Sequence, residues 1–167
     1  MAILLALPIL GVLVMFQSAV VSQVFLLHGT ADLVLLAIIA WALQERVDTA
    51  WHWALIGGLL VNLVSALPLG VPLISYLLAT GIALLLKHRI WQAPILAMFT
   101  ATFLGSLVNL GLDWIVLVML GHPLPLAASF NLVILPSVLL NMLLAIPLFS
   151  LTGSLAEQLY PEETITV

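Results

Sequence analysis

The stretch PLAASFNLVILPSVLLNMLLAIPLFSL, residues 125–151, contains no charged side chain. It is longer than the ~20 apolar residues that an α-helix needs to cross a membrane. A second, near-continuous apolar run, VFLLHGTADLVLLAIIAWAL, covers residues 24–43. Strands of a membrane β-barrel would instead show roughly 10-residue segments of alternating polarity. Because spanning segments in lipid are either helices or closed barrels, these runs favour helices.

The composition agrees with a chain that is surrounded by lipid. Of its 167 residues, 65% are hydrophobic and 6% are charged, and the mean hydropathy is +1.35, whereas soluble domains carry about 25% charged residues. The net charge is -4 and only three side chains are cationic, which argues against a nucleic-acid partner. The chain has no cysteine, so disulfides, thiolate metal sites and a cysteine nucleophile are excluded. The sequence predicts an all-α integral membrane protein.

Charged residues, prolines and glycines divide the apolar sequence into segments. The N-terminal segment lacks a positively charged leader and is interpreted as a retained helix. Thr30 and Asp32 are candidate N-caps of the second helix. We predict a six-transmembrane-helix bundle in one domain over residues 1–156, followed by a frayed, acidic cytoplasmic tail at residues 157–167. The helices are predicted near residues 2–22, 30–44, 50–66, 71–86, 91–120 and 130–153.

The cationic residues predict the orientation of the chain. Arg46, Lys87 and Arg89 fall in two loops that share one side of a six-span protein with both termini. The positive-inside rule therefore predicts cytoplasmic N- and C-termini. Indole rings favour the headgroup interface, and the sequence predicts four of them beside the cationic loops and Trp114 at the opposite interface. The four are Trp41, Trp51, Trp53 and Trp91. A five-span arrangement with one re-entrant segment is the alternative.

Polar and small residues form a stripe on each of two predicted helices. Residues four apart lie on one face of a helix. Packing of helices against each other is the first interpretation, because small residues allow close approach and amides supply hydrogen bonds. A ligand or ion pathway is the alternative, although Asp113 is predicted near the outer interface and Asn62 nearer the bilayer middle. The stripes are Gly58, Asn62 and Ala66, with Ser65 beside them, and Gly105, Asn109 and Asp113.

No catalytic pattern is recognised in the sequence. The four histidines fall at predicted loop or interface positions without metal-binding spacing, so solvated histidines are expected and no cofactor or metal is predicted. Nucleophile elbows, phosphate loops and paired intramembrane carboxylates are not recognised, and Asp32 is interpreted as a helix cap. The sequence therefore predicts a protein that is not an enzyme. The histidines are His28, His52, His88 and His122.

The order of these features resembles the bacterial rod shape-determining MreD family over most of the chain. The best part is WALIGGLLVNLVSALPLG at residues 53–70, followed by Ile74-Ser75-Tyr76. It resembles the family's glycine-rich helix, polar residue, small-residue turn and following aromatic. ADLVLL at residues 31–36, Phe130-Asn131-Leu132 and residues 136–147 resemble further parts of the family. This chain has Asn62 where the family commonly shows aspartate, and only acidic charges in its C-terminal tail.

This resemblance implies a non-enzymatic scaffold in the bacterial inner membrane that helps to maintain rod cell shape through peptidoglycan synthesis. The implied partner is an MreC-like bitopic membrane protein, and through it MreB filaments, RodA and a class B penicillin-binding protein. The implied fold is similar to the substrate-binding component of energy-coupling-factor transporters. Together with Asn62, Asn109 and Asp113, that fold suggests an alternative function, a vitamin-type small-molecule binding subunit of a membrane transporter.

Overall fold

The computed structural model of the chain describes residues 2–90, 92–122 and 125–160. The chain is mostly helical (81%), and the predicted count of six helices is confirmed within these residues. The helices are α1 (Ala2–Ala19), α2 (Leu33–Leu43), α3 (Ala50–Val64), α4 (Val71–Arg89), α5 (Pro94–Met119) and α6 (Leu126–Leu159). Helix α6 is continuous but contains a π-helical segment, Phe130–Ile134.

The six helices differ in length more than the sequence predicts. Helices α4, α5 and α6 are long and apolar enough to cross a membrane, whereas α1, α2 and α3 are shorter apolar helices. Helix α2 has 11 residues, or about 16 Å at 1.5 Å per residue, which is roughly half of the hydrocarbon thickness of a bilayer. It begins at Leu33 instead of near residue 30.

Helix α2 is the centre of the bundle. All 11 of its residues are buried, and it contacts each of the other five helices. A helix that is apolar on every face is suited to a protein interior or to lipid, and the contacts of α2 place it in the interior. At its C-terminal end, the Lys87 ammonium group donates hydrogen bonds to the carbonyl oxygens of Gln44 and Val47. The other helices therefore pack around α2 and fix its position.

The connection between α1 and α2 is more ordered than the predicted turn. Helix α1 ends at Ala19, and a 3-10 turn (Val21–Gln23) follows it. Two short antiparallel strands, β1 (Phe25–Leu26) and β2 (Gly29–Thr30), then form a hairpin. The hairpin packs against α6, because the His28 backbone N–H donates to the Leu132 carbonyl at 3.0 Å within the π-helical segment.

The end of α6 also differs from the prediction. The helix was expected to end near residue 153, but it continues to Leu159. The ring of the next residue, Tyr160, lies 6.5 Å from the Trp41 ring, and its hydroxyl donates to Asp48 Oδ1 at 3.2 Å. Residues Glu157 to Leu159, which the prediction assigns to the tail, therefore belong to the helix, and Tyr160 packs against the bundle. Residues 161–167 lie outside the described residues.

Two tryptophans lie inside the bundle. Trp41 and Trp53 are fully buried, and their rings stack at a centroid distance of 4.2 Å. Each ring therefore packs against the other and is covered by protein. The Trp41 indole N–H also has a partner, Thr49 Oγ1 at 3.3 Å. Trp51 is exposed, as an interfacial residue would be, and Trp91 lies outside the described residues.

Candidate functional site

Asp32 is the N-cap of the central helix, as the sequence predicts. Its backbone is extended (φ -111°, ψ 90°), and its Oδ1 accepts a hydrogen bond from the Leu35 N–H at 3.0 Å. This bond satisfies one of the N–H groups that a helix leaves free in its first turn. The other candidate cap, Thr30, lies in strand β2, and its N–H donates to Ser137 Oγ on α6 at 3.1 Å.

The Asp32 carboxylate also binds side chains from two other helices. The Tyr76 hydroxyl on α4 lies 2.9 Å and 2.8 Å from its two oxygens and donates to them. The Asn109 amide on α5 lies 3.5 Å from Oδ2. Tyr76 is almost completely buried. Its role was not predicted, because nothing in the local sequence connects it to Asp32.

Asn141 extends this network to α6. It is buried, its Oδ1 accepts from the Asp32 backbone N–H at 2.8 Å, and its Nδ2 donates to Ser106 Oγ on α5 at 2.8 Å. Gln17 on α1 accepts from the Val34 N–H at 3.2 Å. Polar groups of five helices therefore meet at the N-terminal end of α2. Asn141 was not predicted as a site residue, although an amide within a long apolar run is itself a signal that a partner is required.

The stripe on α3 packs against the beginning of α4. A Cβ atom placed on Gly58 would lie 2.8 Å from the Leu73 Cα atom, so the two helices approach closely there. Asn62 Oδ1 accepts from the Gly70 N–H at 3.0 Å, where Gly70 adopts a left-handed conformation (φ +98°). Asn62 lies in the last turn of α3, and Ala66 lies beyond the helix end. Gly58 and Asn62 of this face therefore contact the first turn of α4 and the glycine before it.

The stripe on α5 turns toward α2 and α4. A Cβ atom on Gly105 would lie 2.8 Å from Ile39 Cδ1 and 3.2 Å from Ala79 Cβ, which shows close packing of three helices. One turn further, Asn109 reaches Asp32. One more turn along the same face is Asp113. The glycines of the two stripes therefore have separate partners, whereas Ser65 and Ala66, at the end of the α3 stripe, line the same pocket as Asp113.

A small cavity of about 70 Å³ lies between α2, α3, α4 and α5, and we call it the inner cavity. Its lining includes both Asp32 and Asp113. The two aspartates were not recognised as neighbours in the sequence, because only the packing of α5 against α2 brings these distant residues to one cavity. The lining residues are Asp32, Val61, Ser65, Leu67, Pro72, Tyr76, Asn109 and Asp113.

A larger pocket of about 470 Å³, the outer pocket, shares Ser65, Leu67 and Asp113 with the inner cavity. Asp113 Oδ1 and Trp114 Nε1 are buried and have no hydrogen-bond partner in the described part of the chain. Asp113 was expected to reach water at the interface, but this oxygen is enclosed. The other residues that line the outer pocket are Ala66, Leu110, Trp114, Leu117, Ser129, Val133 and Ile134.

The arrangement offers binding groups more than reacting groups. The four histidines are exposed, as predicted for solvated positions. Within residues 2–90, 92–122 and 125–160, no three His, Asp or Glu side chains come together as a metal site would require. A carboxylate, an indole N–H and a hydroxyl around a pocket can hold a ligand by hydrogen bonds and charge.

Comparisons with known proteins add no function to this geometry. Protein-family models, curated proteins and solved structures give no match to the chain. The resemblance to the MreD family therefore rests on the sequence motifs alone, and the roles of individual side chains rest on the contacts described for them.

Proposed function

We propose that the chain is a multi-pass protein of the bacterial inner membrane with both termini in the cytoplasm. Large apolar side chains are widely exposed on the outside of the bundle; for example, the exposed fraction is 79% for Leu63 and 72% for Leu143. Such a surface would be unfavourable in water. The loop that contains Arg46 accepts hydrogen bonds from Lys87. The cationic residues therefore share one end of the bundle, and the positive-inside rule favours the cytoplasm for that end.

Single cysteines test this orientation, because the chain has none of its own. Arg46, His88 and His122 are exposed, the first two at the cationic end and the third beyond α5. In intact cells, an impermeant thiol reagent is expected to label His122→Cys and to leave Arg46→Cys and His88→Cys unlabelled. Permeabilised cells provide the control, in which all three positions should react. Labelling of positions 46 and 88 but not 122 in intact cells would overturn the orientation.

The function that we propose is a non-enzymatic scaffold of the bacterial elongation machinery. The observation that carries the proposal is the direction of the polar groups. The side chains of Asp32, Tyr76 and Asn141 turn inward. The Tyr76 hydroxyl donates to the Asp32 carboxylate, and the Asn141 amide accepts from the Asp32 backbone N–H and donates to Ser106. The outer faces of the helices are therefore largely apolar. Such faces are suited to contacts with lipid and with other membrane helices. The sequence resemblance to the MreD family supports the same role.

The partner in this proposal is an MreC-like bitopic protein, which would connect the chain to MreB filaments, RodA and a class B penicillin-binding protein. Co-purification in detergent from cells that express both proteins is expected to recover a stable complex. An unrelated single-span protein is the control. The variant Asp113→Asn is expected to recover as much partner as the natural chain, because Asp113 faces the bundle interior. Failure to recover the MreC-like protein with the natural chain would contradict the scaffold role.

A small-molecule binding subunit of a membrane transporter is the second candidate function. The outer pocket favours it, because its volume of about 470 Å³ falls within the range of about 300–1,000 Å³ that is typical of ligand sites. A bound vitamin-type ligand would raise the melting temperature of the purified protein. A scaffold without a ligand site would show no such change.

A further inference from the structure

We propose that the outer pocket binds a small organic cation, whose charged nitrogen pairs with the Asp113 carboxylate and whose apolar part lies against the aliphatic wall. Asp32 and Asp113 lie at the opposite end of the bundle from the lysine and arginine side chains. Asp32 and Asp113 line the inner cavity together, while Arg46, Lys87 and Arg89 lie at or beside the opposite ends of α2 and α4. Apart from the exposed histidines, the described residues place no basic side chain at this end of the bundle.

The two carboxylates differ in how well the protein satisfies them. Asp32 accepts hydrogen bonds from the Leu35 N–H and from the Tyr76 hydroxyl. Asp113 Oδ1 is buried and has no partner among the described residues. A buried carboxylate oxygen without a partner costs free energy, and a cation bound beside it would reduce that cost. Asp113 is therefore the group of the outer pocket that would pair with a cation. Asp32, which lines the inner cavity together with Asp113, adds to the negative potential there.

The lining of the outer pocket favours an organic cation over a metal ion. Small metal ions such as Mg²⁺ and Ca²⁺ require about six or more oxygen ligands, whereas most residues around this pocket are aliphatic. The aliphatic wall can hold a hydrocarbon group of the ligand, and indole is the best aromatic partner for an organic cation. Trp114 lines the same pocket, and its indole N–H has no partner in the described chain. The Trp114 indole N–H can donate a hydrogen bond to an acceptor atom of the ligand.

An organic cation is the ligand class that we assign to the second candidate function, and the proposal rests on that function. The scaffold role is independent of this proposal. A thermal-shift experiment on the purified full chain in phospholipid nanodiscs tests it, with 2-phenylethylammonium chloride as the probe. At a concentration about 100 times its Kd, the probe is expected to raise the melting temperature by roughly 5–10 °C. The neutral alcohol 2-phenylethanol, which has nearly the same shape, is expected to give a much smaller rise.

Matched variants assign the effect to the pocket. Asp113→Asn is expected to lower the affinity for the probe at least tenfold, whereas Asp48→Asn, which changes an exposed carboxylate at the cationic end, should leave the affinity unchanged. If Asp113→Asn does not fold, Val133→Phe serves as the second variant. Val133 is half-exposed and lines the pocket, so a larger side chain there should block the probe without unfolding the chain.

Each outcome decides the proposal. Equal shifts with the ammonium and the alcohol would overturn recognition of charge while leaving a binding pocket, and with it the second candidate function. Equal affinity of the natural chain and Asp113→Asn, or of the natural chain and Val133→Phe, would place the cation elsewhere and overturn the assignment. If neither the probes nor a vitamin panel changes the melting temperature, both the inference and the second candidate function fail. Recovery of an MreC-like partner is a separate measurement and is unaffected by any of these results.

Discussion

Replacing Tyr76 by phenylalanine is expected to lower the free energy of unfolding by about 2 kcal/mol. The substitution keeps the buried ring of α4 and removes only the hydroxyl, which donates to both oxygens of Asp32 at 2.9 Å and 2.8 Å. The carboxylate would remain enclosed with fewer donors, and a buried polar group that loses its partner is destabilising. Unfolding by SDS in mixed micelles, followed by circular dichroism, measures the change.

Tyr160→Phe is the matched control, because the chain has only two tyrosines. The Tyr160 hydroxyl donates to the exposed Asp48 carboxylate at 3.2 Å and lies 3.4 Å from Thr49 Oγ1. Water can replace such a surface contact, so we expect a change within about 0.5 kcal/mol. Equal losses in the two variants would show that the Asp32–Tyr76 bond contributes no more than a surface contact, and this prediction would then be wrong.

The sequence predicts the number of helices because helix count depends on local features. A charged loop, a proline or a glycine interrupts an apolar run wherever it occurs, and the interruptions at Arg46, Gly70 and Lys87–Arg89 all lie at or beside observed helix ends. Helix length is less local. The residues before Leu33 are apolar enough for a longer α2, but they form a hairpin because Ser137 and Leu132 of α6 accept its N–H groups. Hydrogen bonds to such a distant segment leave no periodic pattern in the sequence.

The same distinction applies to the candidate site. The spacing of Gly105, Asn109 and Asp113 predicts that they share a face, because helix geometry fixes it. The spacing does not identify the helix that this face contacts. The structure shows that the face meets α2 and that Asp32 and Asp113 line one cavity. For Trp41, the preference of indole rings for the interface predicts a position beside a cationic loop, but it does not predict the specific contact with Trp53 that buries the ring.

Replacing Gly58 by alanine is expected to lower the free energy of unfolding by about 2 kcal/mol. The new Cβ atom would lie 2.8 Å from Leu73 Cα and 2.9 Å from Leu73 Cδ1. A side-chain end can rotate away, but a Cα atom moves only with the backbone, so α3 and α4 must separate. Overpacking of this kind costs up to about 3 kcal/mol, and the higher helix propensity of alanine offsets about 1 kcal/mol of that cost.

Gly111→Ala on α5 separates the two contributions. A Cβ atom at Gly111 meets nothing within 4 Å, so only the gain in helix propensity remains, and this variant is expected to be up to about 1 kcal/mol more stable than the natural chain. The two alanine variants should therefore differ by about 3 kcal/mol in the same SDS unfolding titration. If both were stabilised equally, the close contact between α3 and α4 at Gly58 would not exist in the folded protein. A loss confined to Gly58→Ala would instead show that the α3 glycine is required because the Leu73 backbone occupies the space of a side chain.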